Sequence, residues 1–315
     1  MLWAIFPVFA QFFYTSGGYF QNFLTDFALP KKRAGALIIA HLPCFLMILL
    51  LLFAIFGRTV FILPFTTALG LILAGAINVF GSIFYYKALQ SGDAADITVI
   101  GQLAPLVTLG LGAVILGETI SANQGFGLML IMAAALIIVF GNMKKRERSN
   151  PNLKVAAYTL VAILFSNLSD IVYAYFIKDY TTDLTLLGRG LFFFNIGSAL
   201  MVTLIFICCR SWRKAIKTAF VSSKSHARNA LVLFCDNLTF LLAELLYKYG
   251  LLIVPVVAMM SAVGKVTSLF VSFFFTIFLG RIFPKFIHSK RITHRIIMQY
   301  MIAAVLIVTG IMIMN

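Results

Sequence analysis

Three carboxylates and one ammonium stand inside otherwise apolar runs: Asp170 in SNLSDIVYAYF, Asp236 and Glu244 in FCDNLTFLLAELLY, and Lys265 in SAVGKVTSLFVS. An ionised side chain at the centre of a bilayer costs roughly 2.5–3.5 kcal/mol on insertion scales, so each of the four requires a partner, a water-filled cavity or a function. Helical spacing groups them. Ser261, Lys265, Ser268 and Ser272 recur at i, i+4, i+7 and i+11, one continuous polar face. Ser166, Asn167, Asp170 and Tyr173 share a face of another run, and Asp236, Phe240, Glu244 and Tyr247 of a third. Two chemistries fit this pattern. In one, Lys265 pairs with Asp170 or Glu244 and the bridge only holds helices together. In the other, the groups face a transport cavity, where Lys265 attracts an anionic group and Asp170 or Glu244 takes up a proton that couples to substrate. Two carboxylates facing one lysine leave a spare negative charge, which favours protonation of one of them.

Weaker polar positions accompany these. Gln11, Tyr14 and Asn22 near the N-terminus, and Asn78 and Tyr85 further on, line the same cavity or bridge helices structurally. Pro105 removes a rung of its helix ladder and predicts a kink or hinge beside Gln102. His41 reads as a packed polar residue. Lys87 and Lys248 lie near the ends of their runs, from which a long side chain reaches water. The glycines at 70, 75 and 81, and at 110, 112 and 117, read as sites of close helix packing.

The elements that must hold these residues are set by composition. Mean hydropathy is +1.01 and only 11% of residues are charged, against roughly 25% in soluble domains. Apolar runs of about 20 residues, enough at 1.5 Å per residue to cross a ~30 Å hydrocarbon layer, recur along the chain. Ten helical spans are expected, at about 2–28, 34–57, 65–90, 94–117, 120–141, 154–178, 184–209, 229–250, 252–280 and 294–314. A barrel would need short alternating segments, which are absent, so the fold class is an all-α membrane protein. The N-terminus lacks the basic start and cleavage site of a signal peptide and reads as a retained first helix. Cys44, Cys208, Cys209 and Cys235 have no metal-type spacing and read as apolar filler. The Asn167 and Asn237 sequons lie within expected helices, where glycosylation does not reach.

Local chemistry sharpens the boundaries. Ser91 and Gly92 close the third span, Asp93 caps the fourth, and Asp96 sits in its first turn, where the helix dipole favours an anion. Ser121 and Gln124 form a capping box after Gly117 and Glu118.

The second half repeats the first in outline. YYKAL at 85–89 is echoed by LYKYG at 246–250, VILGE at 114–118 by IFLGR at 277–281, and FLTDF at 23–27, more weakly, by FIKDY at 176–180. The organisation is a five-helix repeat at 1–141, a charged linker at 142–152 and a second repeat at 153–315. Five is odd, so the two copies cross the membrane in opposite senses, the plan of many secondary transporters. An offset of 163 maps the Ser261–Lys265–Ser268 face onto Thr98, Gln102, Pro105 and Leu109, making Gln102 and Lys265 quasi-symmetric partners across a central cavity.

The passage KALQSGDAADITVIGQLAPLVTLGLGAVILGETISANQGFG resembles the signature of the EamA-like family, within the drug/metabolite transporter (DMT) superfamily. The resemblance is strong over 74–140 and weaker in the second half. It implies paired inverted bundles and a cavity lined mainly by the first, third, fourth, sixth, eighth and ninth helices. The implied activity is secondary transport of a small polar or amphipathic metabolite, such as an amino-acid-like compound or drug, by alternating access. One departure makes the halves inequivalent: the glutamate of the first LGE turn becomes Arg281 in the second.

Orientation divides the indications. Of the 25 Lys and Arg, all but Arg58, Lys178, Arg189, Lys248 and Lys265 fall in or beside the odd-numbered connections, which places those connections in the cytoplasm and the termini outside. The resemblance implies termini inside.

Other classes fit less well. The net charge of +15 is spread over short connections rather than one soluble face, which argues against nucleic acid. No GxxxxGK[ST] occurs, so uphill transport would draw on an ion gradient. A flippase for lipids or lipid-linked sugars is the alternative within the superfamily. An intramembrane enzyme would want a motif such as GxGD, or a serine with a nearby membrane histidine, where this chain has NLSDI and FCDNL. The expected partners are therefore a small-molecule substrate, the lipid bilayer and protons, with no cofactor and no metal, in a multi-pass protein of the cell (inner or plasma) membrane.

Overall fold

The computed structural model describes residues 2–29, 35–91, 97, 100–142, 153–177, 184–222, 225–282 and 294–314. They contain helices and turns and no strand. In chain order the helices are α1 (Ile5–Phe23, continued by a π-helical turn at Leu24–Ala28), α2 (Ala36–Ala40), α3 (Leu42–Phe56), α4 (Phe65–Ser91), α5 (Ala104–Leu111, continued by a π-helical turn at Gly112–Leu116) and α6 (Ala122–Asn142). There follow α7 (Leu153–Ile177), α8 (Leu184–Cys208), α9 (Arg210–Lys217), α10 (His226–Ile253), α11 (Val257–Ile282) and α12 (His294–Met314). Among the described residues, eight helical segments are long and apolar enough to cross a membrane: 36–61, 65–91, 122–139, 153–177, 185–208, 226–253, 257–275 and 297–314. α1 falls outside this set, in keeping with its Gln11, Thr15, Ser16, Gln21 and Asn22, and the apolar stretch from Ala104 to Leu116 is shorter.

Three departures from the expected spans each have a local cause. The second is split at His41, between α2 and α3, and Pro43 in the first turn of α3 has no N–H to continue the ladder. The fourth is interrupted by a turn at Gln102 and Leu103, so Pro105 lies in the opening turn of α5, where its missing donor is tolerated, rather than in mid-helix. An unanticipated helix, α9, occupies the connection after α8: its basic Arg210, Lys214 and Lys217 are exposed while Ala215 is buried. The caps expected at Asp93 and Asp96, together with Gly92, Thr98, the linker at 143–152 and the basic stretch at 283–293, lie outside the described residues.

Helices in lipid gain nothing by hiding apolar surface from one another, so close backbone approach and interhelical hydrogen bonds hold them. α4 packs along α7 and α8, α1 along α10 and α11, α6 along α12 and α3 along α8. At the α4–α8 crossing a Cβ on Gly75 would meet the Phe194 carbonyl, and one on Gly197 would meet the Ile72 carbonyl. Ser198 Oγ donates to the Gly75 carbonyl at 3.2 Å, and from α7 Ser169 Oγ donates to the Ala74 carbonyl at 2.8 Å. Gly70 and Gly81 likewise admit Phe176 and Ser166. Gly117 differs: its φ of +64° is left-handed and ends the turn after α5. The capping box forms, with Ser121 N–H donating to Gln124 Oε1 at 3.0 Å and Gln124 N–H to Ser121 Oγ at 3.2 Å. Large apolar side chains such as Leu50, Phe65, Val114 and Val305 cover the outside.

Two large apolar clusters each gather several of the turns between helices. One gathers Trp3, Val254, Val256, Val257 and Met260 with the turns at Leu63 and Leu116. The other gathers Leu24, Leu29, α2, Leu89, Val202 and Ala215. A glutamate latches the first: Glu118, after α5, accepts the Val257 N–H that opens α11, at 3.2 and 3.3 Å to its two oxygens.

Candidate functional site

A cavity of about 420 Å³ is walled by α1 to α4, α7, α8, α10 and α11. Gln11, Tyr14, Asn78, Tyr85, Ser166, Asn167, Asp170, Glu244, Tyr247, Ser261 and Lys265 all line it, so the polar faces of three separate runs converge.

At one pole the charges are paired, but not as the spacing suggested. Lys248 is buried, 1% exposed, and does not reach for water. Its Nζ lies 2.7 Å from Asp170 Oδ1 on α7 and 3.8 Å from Glu244 Oε1, one turn earlier on α10. Its other neighbours are the rings of Tyr173 at 4.7 Å and Phe194 at 4.3 Å, whose faces attract a desolvated cation. Tyr14 OH donates to Glu244 Oε2, which ties α1 to α10. The bridge expected between Lys265 and a carboxylate is therefore made by Lys248. Lys265 forms no ion pair among the described residues, and it stands in the cavity wall one turn from Ser261. With Lys248 counted, this pole holds two ammoniums and two carboxylates, and the spare negative charge disappears.

The remaining expected site residues are placed as follows. Asn167 lines the cavity but is also structural: its Nδ2 donates to the Ala104 carbonyl at 3.0 Å, fastening the start of α5 beside Pro105. Gln102 is buried and lies outside the cavity wall; it shares a narrow crevice with Pro105, Ala262 and Lys265, so it approaches Lys265 from behind rather than across the cavity. Ser268 donates to the carbonyl of Lys265 at 2.7 Å within its own helix and does not line the cavity.

The second pole was not anticipated. His41 Nδ1 lies 2.8 Å from Asn237 Oδ1, and His41 Nε2 lies 3.8 Å from Asp236 Oδ2. Gln21 Nε2 donates to Asp236 Oδ1 at 3.2 Å, and Tyr86 OH donates to Gln21 Oε1 at 3.4 Å. His41, Gln21 and Tyr86 face the cavity, whereas Asp236 is fully buried behind them. Phe240 separates the poles, stacked on His41 at 5.7 Å and edge-on to Tyr14 at 6.1 Å. From Asp236 to Glu244 is eight residues of α10, about 12 Å along its axis. One of these contacts carried a sequence signal, since Glu244 and Lys248 are an i,i+4 pair. His41 carried none, because its partners are 195 or more positions away on α10.

Residues 1–140 match the model of the EamA-like transporter family. A stretch of 71 residues is 28% identical to the uncharacterized protein MJ1333.1 of Methanocaldococcus jannaschii; it covers 22% of this chain and 52% of that protein, so the match spans about half of the relative. A solved crystal structure of a protein 15% identical in sequence superposes with a TM-score of 0.68 over 99% of this chain and 95% of that chain, a likeness of fold. Eight apolar helices and this family match identify a multi-pass integral membrane protein. The family match covers residues 1–140 of the 315, so it is the first part of the chain that is similar to the EamA-like transporter family.

Proposed function

We propose that this protein is a secondary transporter that moves a small polar or amphipathic metabolite, amino-acid-like in size and bearing an anionic group, by alternating access. The observation that carries the reading is Lys265: an ammonium with no ion pair among the described residues, in the wall of a cavity of about 420 Å³. That volume lies within the ~300–1,000 Å³ of small-molecule sites. An ammonium in no ion pair attracts a carboxylate or phosphate of the substrate, and the Lys248–Asp170–Glu244 cluster beside it, one ammonium against two carboxylates, reaches neutrality when one carboxylate takes up a proton. Ser261, Asn78 and Tyr14 supply hydrogen bonds, and Phe240 and Tyr247 supply apolar surface.

The ten-span, two-repeat arrangement belongs to this reading, with α1 and the segment containing α5 completing the eight apolar spans. The pattern of packing supports it. Exchanging the two halves turns the α4–α7 contact into α10–α1, α5–α7 into α11–α1, and α4–α8 into α10–α3, and all six contacts are present. The grouping of the turns near Leu63, Leu116 and Val254 in one cluster, and of those near Leu29, Leu89 and Cys209 in the other, fits helices that alternate in direction. Movement of one half against the other exposes the cavity to each side in turn, with Glu118 releasing the start of α11 as that end opens. Coupling to protons runs through Glu244, whose contact with Lys248 is the longer of that lysine's two.

The test is a panel of anionic, zwitterionic and cationic metabolites screened by thermal shift on purified protein, followed by uptake of the hits into proteoliposomes. Stabilisation by carboxylate- or phosphate-bearing compounds, lost in Lys265→Met, is the expected result; stabilisation by cations alone would sink the assignment of Lys265.

A further inference from the structure

We propose that His41 and Asp236 form a second proton-binding site of the cavity, separate from the Lys248 cluster and at the opposite pole. The geometry carries it. Asp236 is fully buried, and its Oδ2 accepts no hydrogen bond among the described residues. Asp236 Oδ1 accepts only from the neutral amide of Gln21 among the described residues. The nearest cationic candidate is His41, whose Nε2 lies 3.8 Å from that Oδ2. Lys248, which neutralises the other pole, is twelve residues further along α10, about 18 Å of helix axis.

Asn237 Oδ1, 2.8 Å away, accepts the His41 Nδ1–H. In the neutral ring this leaves a lone pair on Nε2 aimed at a carboxylate, which is repulsive; one added proton on Nε2 converts the contact into an ion pair. The remaining titratable groups around the imidazole are Cys44 of α3, which donates to the Asn237 carbonyl at 3.3 Å, and Tyr86 of α4, which is held by Gln21. Neither supplies a positive charge. The pair takes up its proton from cavity water through His41, which faces the cavity, while Asp236 stays behind it. The split of the second span at His41 places the ring at a helix joint, where taking up and losing charge bears directly on how α3 meets α10.

The first experiment needs no transported substrate and so separates this proposal from the transporter reading on which its coupling role rests. Full-length protein with nitrogen-labelled histidine is placed in lipid nanodiscs, and ring resonances are followed across about pH 5 to 9, the range in which imidazoles titrate. The chain has four histidines, so His41→Gln identifies the signal by its loss. His41 is expected to titrate, and Asp236→Asn, which keeps the side-chain shape, is expected to displace the midpoint by about tenfold in proton concentration. A His41 that remains in one neutral tautomer throughout, or one that titrates identically in Asp236→Asn, overturns the proposal. In proteoliposomes with a radiolabelled amino-acid mixture, both variants are expected to lose accumulation driven by a pH gradient at least tenfold while exchange at equal pH stays within twofold. Unchanged accumulation overturns the coupling role. A titrating His41 in a protein that moves none of the mixture leaves the proton site standing and counts against the transporter reading.

Discussion

Lys248 Nζ lies 2.7 Å from Asp170 Oδ1, joining α7 to α10 under the rings of Tyr173 and Phe194. The pair neutralises a carboxylate that would otherwise stand alone in the membrane interior, and it leaves Lys265 in the cavity wall with no ion pair among the described residues.

Removing one partner of such a pair strands the other. Lys248→Met is expected to destabilise the protein by about 3–5 kcal/mol, and Lys248→Met with Asp170→Leu by clearly less, because no uncompensated charge remains. Thermal unfolding of the purified variants in detergent checks the order; a double variant as unstable as the single one would show that the charge balance is not what matters.

Lys265 is expected to behave in the opposite way. Lacking a partner, it contributes little to the fold, so Lys265→Met should change stability by less than about 1 kcal/mol. It should weaken binding of an anionic ligand by tenfold or more, the scale of a lost charge-assisted contact. Titration calorimetry on a hit from the metabolite panel measures the effect.

Glu244→Gln preserves the shape and the contact with Tyr14 while removing the charge. Accumulation driven by an imposed pH gradient is expected to vanish, while substrate exchange at equal pH persists. Asp170→Asn is a poorer probe, since it also removes the negative charge that pairs with Lys248 at 2.7 Å. Gradient-driven uptake at the unaltered level in Glu244→Gln would remove this carboxylate from coupling.

At the α4–α8 crossing, Gly75→Val and Gly197→Val each force a side chain into the facing main chain. A loss of about 3 kcal/mol or more is expected, at the upper end of overpacking, and is read as a lower melting temperature and poor yield of monodisperse protein. Gly110→Ala, with open space around it, serves as the control and should be neutral.

Glu118→Ala removes the acceptor for the Val257 N–H and is expected to cost at least about 1 kcal/mol, the scale of a lost helix cap. It is also expected to raise labelling of a cysteine introduced at Val256, now buried in the cluster at that end. Equal labelling in both backgrounds would show that Glu118 is not a latch.

Much of this molecule was legible along the chain because the bilayer imposes simple requirements. Length and hydropathy located eight apolar spans, the Ser121–Gln124 box and Gly117 marked a turn, and the cost of buried charge singled out Asp170, Asp236, Glu244 and Lys265 as residues needing an explanation. Partner choice was not legible. An i,i+4 spacing made Glu244 and Lys248 neighbours, but only packing of α7 against α10 decided that Lys248, and not Lys265, would meet Asp170. Likewise His41 became part of a polar cluster only when α3 was brought beside α10. Periodicity along one helix states which residues share a face; which faces meet depends on the crossings of helices far apart in sequence, and those crossings are decided by small residues such as Gly75 and Gly197 in three dimensions.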